Sequence, residues 1–219
     1  MIKILIIKTK AGFTLAEVLI TLLIIGVISS IVIPSLISNT QDAEYKATLK
    51  KVYSDLSQAT KMVMMDNGGT IKGLCSDNGD DCLRDKYLSY LSYVKKCNEG
   101  TSGCFDFNGF KFLSGTLSTW GADSTAILNN GVLLDFYYPA NSSTCTGTWG
   151  STLQHCGVIF LDVNGSKKPN TLGKDTFILH IMENTLKPYG TQGDGVENDC
   201  NTSPPSGDGY GCAAAYLKN

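Results

Sequence analysis

The chain is 219 residues long, with 18 Lys plus Arg against 20 Asp plus Glu and a formal net charge of −2. That length admits one membrane helix and one modest globular domain. The charge balance gives no global push toward nucleic acid, and the paired lysines at Lys50-Lys51, Lys95-Lys96 and Lys167-Lys168 read as solvated surface, so nucleic acid is not an expected partner.

The first twelve residues, MIKILIIKTKAG, carry Lys3, Lys8 and Lys10 and no acid. A positive flank of this kind is kept on the cytoplasmic side of a membrane. From Phe13 the composition turns apolar, and Val18 to Ile37 is a run of 20 residues without a charge. Such a run is long enough to cross about 30 Å of hydrocarbon. Just ahead of it, still within the apolar segment, stands one carboxylate, Glu17. A charge near the bilayer core costs at least ~2.5 kcal/mol, so Glu17 points to a function. A secretory signal does not fit, because its apolar region is shorter and its small-residue cleavage site follows that region. Here Gly12 precedes the run. A plain single-pass anchor leaves Gly12-Phe13 and Glu17 without a role.

The junction of MIKILIIKTKAG with FTLAEVLITLLIIGVISSIVIPSLIS resembles the class III signal of type IV pilins and type II secretion pseudopilins, and the resemblance extends over residues 1–65. It implies that a prepilin peptidase cuts after Gly12 and that Phe13 becomes the methylated first residue of the mature chain, with Glu17 as the fifth. Without the leader, 15 basic and 20 acidic residues remain, a balance of −5. Buried in an apolar bundle, Glu17 needs a cation. The natural one is the new α-amino group of Phe13 on a neighbouring subunit, and a subunit at the wrong axial height would leave the charge unpaired. The competing reading has Glu17 snorkelling to the interface. The family also carries a proline where the helix can lose helicity in the filament, which corresponds to Pro34. Implied partners are other copies or related pilin subunits, the prepilin peptidase, an inner-membrane assembly platform with its motor, and the lipid bilayer.

Residues 13–65 read as one long helix, with a transmembrane part at about 13–37, and at 1.5 Å per residue they would span about 80 Å. Pro34 removes a backbone donor and is expected to kink or loosen it. Beyond Asn39, Leu49, Val52, Leu56, Ala59 and Val63 recur at three- and four-residue steps and form one apolar stripe. Asp66-Asn67-Gly68-Gly69 ends the helix with glycine where a left-handed cap is needed. Leu83 to Val94 reads as a short second helix. Ala126-Ile127-Leu128 and Val132-Leu133-Leu134 flank Asn129-Asn130-Gly131, a hairpin pattern. Val158–Val163 and Thr176–Ile181 are two further strands, giving about four antiparallel strands in all. From Gly190 the chain is turn-rich, and a Cys200–Cys212 bridge is the expected tie that holds it.

All eight cysteines, Cys75, Cys82, Cys97, Cys104, Cys145, Cys156, Cys200 and Cys212, follow the apolar segment. An even number confined to the exported part reads as disulfides formed in an oxidising compartment. Roughly a hundred pairings are open, and the spacings suggest four local loops, 75–82, 97–104, 145–156 and 200–212. Zinc does not fit, because no CxxC is present and His155 and His180 lack ligand spacing. His155 reads as an ordinary loop residue. Asp162, Asn164, Asn170 and Asp175 supply oxygens between two strands, with Gly165 and Gly173 permitting tight turns. That makes Asp162, Asn164 and Asp175 candidate calcium ligands, although Lys167 and Lys168 argue against a dense cage, the EF-hand order is absent, and an ordinary connection with Asx turns is the alternative. The acidic loop Cys75–Cys82 reads as a solvated disulfide loop. No other cofactor is expected, and no nucleophile, catalytic dyad or phosphate loop is visible.

The expected fold class is α+β: a long N-terminal helix, transmembrane in its first half, packed against a small antiparallel sheet with disulfide-bonded loops, as in pilins. The expected organisation is a leader at 1–12, the helix at 13–65 and a globular head at 66–219. The expected function is a structural, non-enzymatic filament subunit of a type IV pilus or a type II secretion pseudopilus. It would sit in the bacterial inner membrane with its head in the periplasm and then enter a filament, periplasmic or at the cell surface. The alternative is a membrane-anchored exported binding protein that does not polymerise.

Overall fold

The structure, a computed structural model, describes residues 12–98, 103–104, 110–118, 120–200 and 207–218. All of the expected leader except Gly12 lies outside the described residues. Helix α1, Leu15–Asp66, runs for 52 residues. The chain divides into two compact units after Ala43, inside α1 and not at its end.

In the first unit α1 presents apolar side chains outward all round, from Leu19 and Leu23 to Ile31 and Leu36. Among the described residues it is one helix long and apolar enough to cross a membrane, and none of its most apolar 18-residue window is buried. A helix that is apolar on every side suits lipid or other helices, not water. The helix continues through Pro34. The missing Pro34 N–H removes one rung, and the flanking turns hold the rest.

In the second unit the expected stripe is realised: Leu49, Val52, Leu56, Ala59 and Val63 are buried. They pack in one core with Ala126, Leu134, Phe136, Ile159, Leu161, Phe177 and Leu179. Each fully buried large side chain contributes about 1.5–3 kcal/mol. The helix ends as expected, with Gly68 at φ 70° and Gly69 N–H donating to Met64 O at 2.7 Å, a Schellman closure.

The core's other layer is a six-stranded antiparallel meander in the order β1-β2-β3-β4-β5-β6. Its strands are β1 Tyr93–Cys97, β2 Ser124–Leu128, β3 Leu133–Tyr137, β4 Gly157–Asp162, β5 Thr176–Ile181 and β6 Leu186–Pro188. The Asn-Asn-Gly hairpin joins β2 to β3, with Gly131 at φ 84°. Six strands replace the expected four. Both additions are edges: β1 is exposed at four of its five residues and shows no alternation, and β6 is three residues ending in Pro188. The helix expected at 83–94 is instead α2, Asp80–Leu88, and Val94 belongs to β1. Every residue of β4 and β5 is buried, because the sheet face away from the Leu56 core is covered by an aromatic layer that includes Phe110, Trp120, Trp149 and Tyr189.

The described cysteines form four disulfides, Cys75–Cys82, Cys97–Cys104, Cys145–Cys156 and Cys200–Cys212, the four local loops that the spacings suggest. The C-terminal segment is tied by more than its disulfide. The Asp199 carboxylate accepts the N–H groups of Asp208 and Tyr210 at 2.8 and 3.2 Å. A short helix α3, Cys212–Leu217, buries Ala213 and Ala214, and Ala214 N–H donates to Tyr189 O at 2.8 Å.

Candidate functional site

The N-terminal junction comes first in the chain. Gly12, Phe13 and Thr14 precede the helix, and Phe13 is 91% exposed. Around Gly12 there is open space where a Cβ would stand. Thr14 N–H and Thr14 Oγ1 both donate to Glu17 Oε2 at 2.8 Å, and Glu17 N–H donates back to Thr14 Oγ1 at 3.2 Å. This is a capping box, Thr-x-x-Glu, which satisfies helix-start donors reciprocally. It fixes the start of α1 just after the Gly12-Phe13 bond. The spacing of Thr14 and Glu17 is a sequence-level signature of such a box, and reading Glu17 only as a charge misses it.

The loop between β4 and β5 brings Asp162, Asn164, Asn170 and Asp175 together. Asp175 accepts Asn170 N–H at 2.8 Å, Thr171 N–H at 2.6 Å and the Asn164 side-chain amide at 3.0 Å. Asp162 accepts Asn164 N–H at 3.1 Å and the Thr176 hydroxyl at 3.3 Å. Both carboxyl groups are buried. Burial first, then the charge of Asp175, pushes the Asp162 carboxyl up to about 8. Burial also raises Asp175, against the hydrogen bonds it accepts. Asn164 Oδ1 and Asn170 Oδ1 are buried without a hydrogen-bond partner. Gly165 and Gly173 take positive φ, 72° and 83°, as the tight turns require. Lys167 and Lys168 are exposed, so their charge is solvated. The donor set is all oxygen and fits a hard cation such as calcium. Among the described residues no three His, Cys, Asp or Glu side chains come close enough to hold a metal by themselves, so amide oxygens would have to complete any such site.

The acidic loop at 75–82 is the disulfide loop expected, with Ser76, Asp77 and Asn78 exposed. Asp77 accepts Ser143 N–H at 2.8 Å, Asp80 accepts Tyr138 N–H, and Asp81 pairs with Arg84 at 2.6 Å. Its carboxylates hold neighbouring segments to the head. His155, expected as an ordinary loop residue, lies outside the named strands and forms an isolated bridge with Gly147. It is buried, and its ring lies 5.0 Å from that of His180, which stacks on Tyr189 at 3.8 Å. Cys156 N–H donates to Ile181 O at 2.7 Å, which brings the two histidines together across 25 residues of sequence. Residue spacing alone does not reveal that pairing.

Comparison with known proteins bears on the first of these sites. Residues 7–33 match the family model described as the prokaryotic N-terminal methylation motif. The chain is 32% identical over 60 residues to type II secretion system core protein G of Aeromonas hydrophila, a match covering 27% of this chain and 41% of that protein. The aligned part thus spans about two fifths of that relative's length. No solved structure gives a significant match. Residues 7–33, the segment holding Gly12, Phe13 and Glu17, thus match a prokaryotic N-terminal methylation motif, and the chain that carries them is similar over a limited stretch to a type II secretion core protein.

Proposed function

We propose that this chain is a structural subunit of a helical filament, either a type IV pilus or a type II secretion pseudopilus. A prepilin peptidase removes residues 1–12, Phe13 is methylated, and the mature chain waits in the inner membrane with its head in the periplasm. Other copies or related subunits then join it through an inner-membrane platform. The observation that carries this reading is the Gly12-Phe13 junction inside a methylation motif, directly ahead of an outward-apolar helix whose sole acid in the first turn is Glu17. The four disulfides of the head support export to an oxidising compartment. The work is mechanical and asks for no catalytic group. Glu17 sets the register by pairing with the Phe13 amine of a neighbour, and Pro34 marks where the helix loosens in the filament. The similarity to a secretion core protein favours the pseudopilus.

The test is mass spectrometry of sheared surface filaments and of membranes from the native cells. A peptide starting at methylated Phe13 that dominates the filaments assigns a pilus. The same peptide confined to membranes assigns a pseudopilus or minor subunit. Only peptides that start upstream of Gly12 would refute processing. Glu17→Ala should leave the monomer cleaved but poorly assembled; wild-type assembly of that variant would refute the register role of Glu17, whereas a wild-type chain found in no filament or oligomer would support a non-polymerising anchored binding protein instead.

A second reading concerns the head. The orphaned oxygens Asn164 Oδ1 and Asn170 Oδ1, beside two buried carboxyls, favour a calcium ion held by Asp162, Asn164, Asn170 and Asp175. Its role there would be structural, closing the β4–β5 connection.

A further inference from the structure

The β4–β5 connection is also one wall of a groove. The opposite wall is the first stretch of α1 in the second unit, and the space between them is about 620 Å³, lined in part by Glu44, Tyr45, Thr48, Lys51, Ser166 and Lys167. Two contacts hold the walls in place. The Asn164 side-chain amide donates to the Tyr45 hydroxyl at 3.0 Å, which ties the connection to α1. Gly131 and Gly165, which also line the groove, bring the β2–β3 turn against the connection. They lie so close that a Cβ on Gly165 would stand 2.8 Å from Gly131 O. The groove is thus formed before any ligand arrives, which lowers the cost of binding.

Its charges are of both signs. Glu44, Thr48 and Lys51 follow at steps of four and three residues and so share one face of α1, while Ser166 and Lys167 belong to the other wall. Glu44, Lys51 and Lys167 are exposed, and among the described residues none of the three takes part in an ion pair. A plain anion drawn in by the lysines would meet Glu44 as a like charge. A phosphate that carries an amine satisfies all three groups. The chain also indicates where such a phosphate comes from. Tyr45 follows Ile37, the last residue of the uncharged run, by eight residues. A bilayer that takes up that run therefore brings lipid phosphates close to the groove along the chain.

We propose that this groove binds the headgroup of an aminophospholipid from the membrane that anchors the chain. Lys51 and Lys167, with the Thr48 and Ser166 hydroxyls, donate to the phosphate oxygens, and the primary ammonium of the lipid donates to Glu44. The headgroup gives the head a hold on the membrane that does not depend on the apolar helix. The proposal rests on the membrane-anchored subunit reading above.

The experiment titrates the full chain, purified from membranes in a nonionic detergent, with dihexanoyl phosphatidylethanolamine. Native mass spectrometry reads the bound fraction, and the amide shifts of Gly165 and Ser166 locate it. One lipid should bind per chain and move both amides, with weaker binding of inorganic phosphate and of dihexanoyl phosphatidylcholine, whose quaternary amine has no N–H. Lys51→Gln and Lys167→Gln should each weaken binding about fivefold, as for one lysine at a lipid surface. Glu44→Gln should erase the preference for ethanolamine over choline. Lys72→Gln, at a lysine beyond the end of α1, should change nothing. All four positions are exposed, so the variants leave the core intact. An equal loss in Lys72→Gln would mean diffuse charge attraction and overturn the site. Equal affinity for inorganic phosphate overturns the lipid as ligand, and equal affinity for choline overturns the Glu44 contact. A dimer that Lys51→Gln dissolves, with lipid binding unaltered, assigns the groove to a second copy of the chain instead. A chain recovered from cells only in the soluble fraction refutes the anchored subunit itself, whereas a membrane-bound chain with none of these lipid effects refutes the groove alone.

Discussion

Acid should destabilise the head through His180, and the effect can be isolated by replacing that residue with Phe. His180 lies in β5, fully buried, stacked on Tyr189 at 3.8 Å, and neither ring nitrogen makes a hydrogen bond. Burial, with smaller contributions from His155 and Lys187, pushes its imidazole down to about 3. Asp194 Oδ2 stands 3.7 Å away, and an ion pair there would act in the opposite direction. Desolvation wins, because Asp194 is itself buried and already accepts Gly190 N–H at 2.6 Å and Val196 N–H at 3.0 Å. The folded imidazole is therefore neutral, whereas the unfolded one takes a proton near pH ~6.5. The stability it retains is complete above that value and is lost as pH falls toward the folded value. Between pH ~6.5 and ~5 the loss is about 2 kcal/mol, or about 4–8 °C in Tm for a domain of this size class. Buried Asp135, Asp162 and Asp175 have raised carboxyls and slope the other way, so the wild-type curve alone is not diagnostic. The difference between wild type and His180→Phe is. Phe keeps the stack on Tyr189 and removes the proton site. Tryptophan fluorescence of Trp120 and Trp149 in detergent-solubilised full chain should show the variant gaining those degrees over wild type as pH drops from ~7.5 to ~5. A gap that stays constant would refute the neutral buried imidazole, and a gap that changes in favour of wild type would mean that His180 and Asp194 form an ion pair.

Gly12→Val should leave the full-length precursor in the membrane, because the subsite beside the cut needs a residue without a side chain; appearance of the mature form on an immunoblot would place the junction elsewhere. Calcium at about a hundred times its dissociation constant should raise stability by ~2.7 kcal/mol, read as a higher Tm than in chelator, and an unchanged transition ends the calcium reading. Leu56→Ala removes a fully buried side chain from the core beneath the sheet and should cost about 2–5 kcal/mol in a denaturant titration; a loss well under ~1 kcal/mol would mean that the stripe does not carry the packing.

Much of the head could be read from local pattern. The Leu49-to-Val63 stripe, the Asn129-Asn130-Gly131 hairpin and the runs at β4 and β5 each state their geometry within a few residues, because periodicity and turn chemistry are local. Strand β1 could not be read that way. Tyr93, Val94, Lys95 and Lys96 are all exposed, so the strand exists through its pairing with β2 and leaves no buried face in the sequence. The C-terminal segment concealed its anchors for a related reason. Asp199 looks like one more loop acid until Asp208 and Tyr210 fold back onto it. At the N-terminal junction the carboxylate of Glu17 was legible as an oddity in an apolar run, while the capping spacing of Thr14 and Glu17 is passed over when Glu17 is read only as a charge.

The acidic loops make the same point in energetic terms. In composition, residues 75–82 and 162–175 look alike, each a mixture of Asp, Asn and Gly between structured segments. In the first, Asp77, Asp80 and Asp81 meet backbone N–H groups, Arg84 and the Ser124 hydroxyl, which leaves those carboxylates already partnered. In the second, two carboxyls are buried near one another, the charge of Asp175 adds to the cost of ionising Asp162, and two amide oxygens remain without donors. A buried acceptor without a donor costs about 1–3 kcal/mol, and a bound cation would relieve both that cost and the carboxyl repulsion. Counting acids therefore cannot choose between the loops, whereas counting unpartnered acceptors can. By that measure the β4–β5 loop is where chelator should act, and the Cys75–Cys82 loop should be indifferent to it.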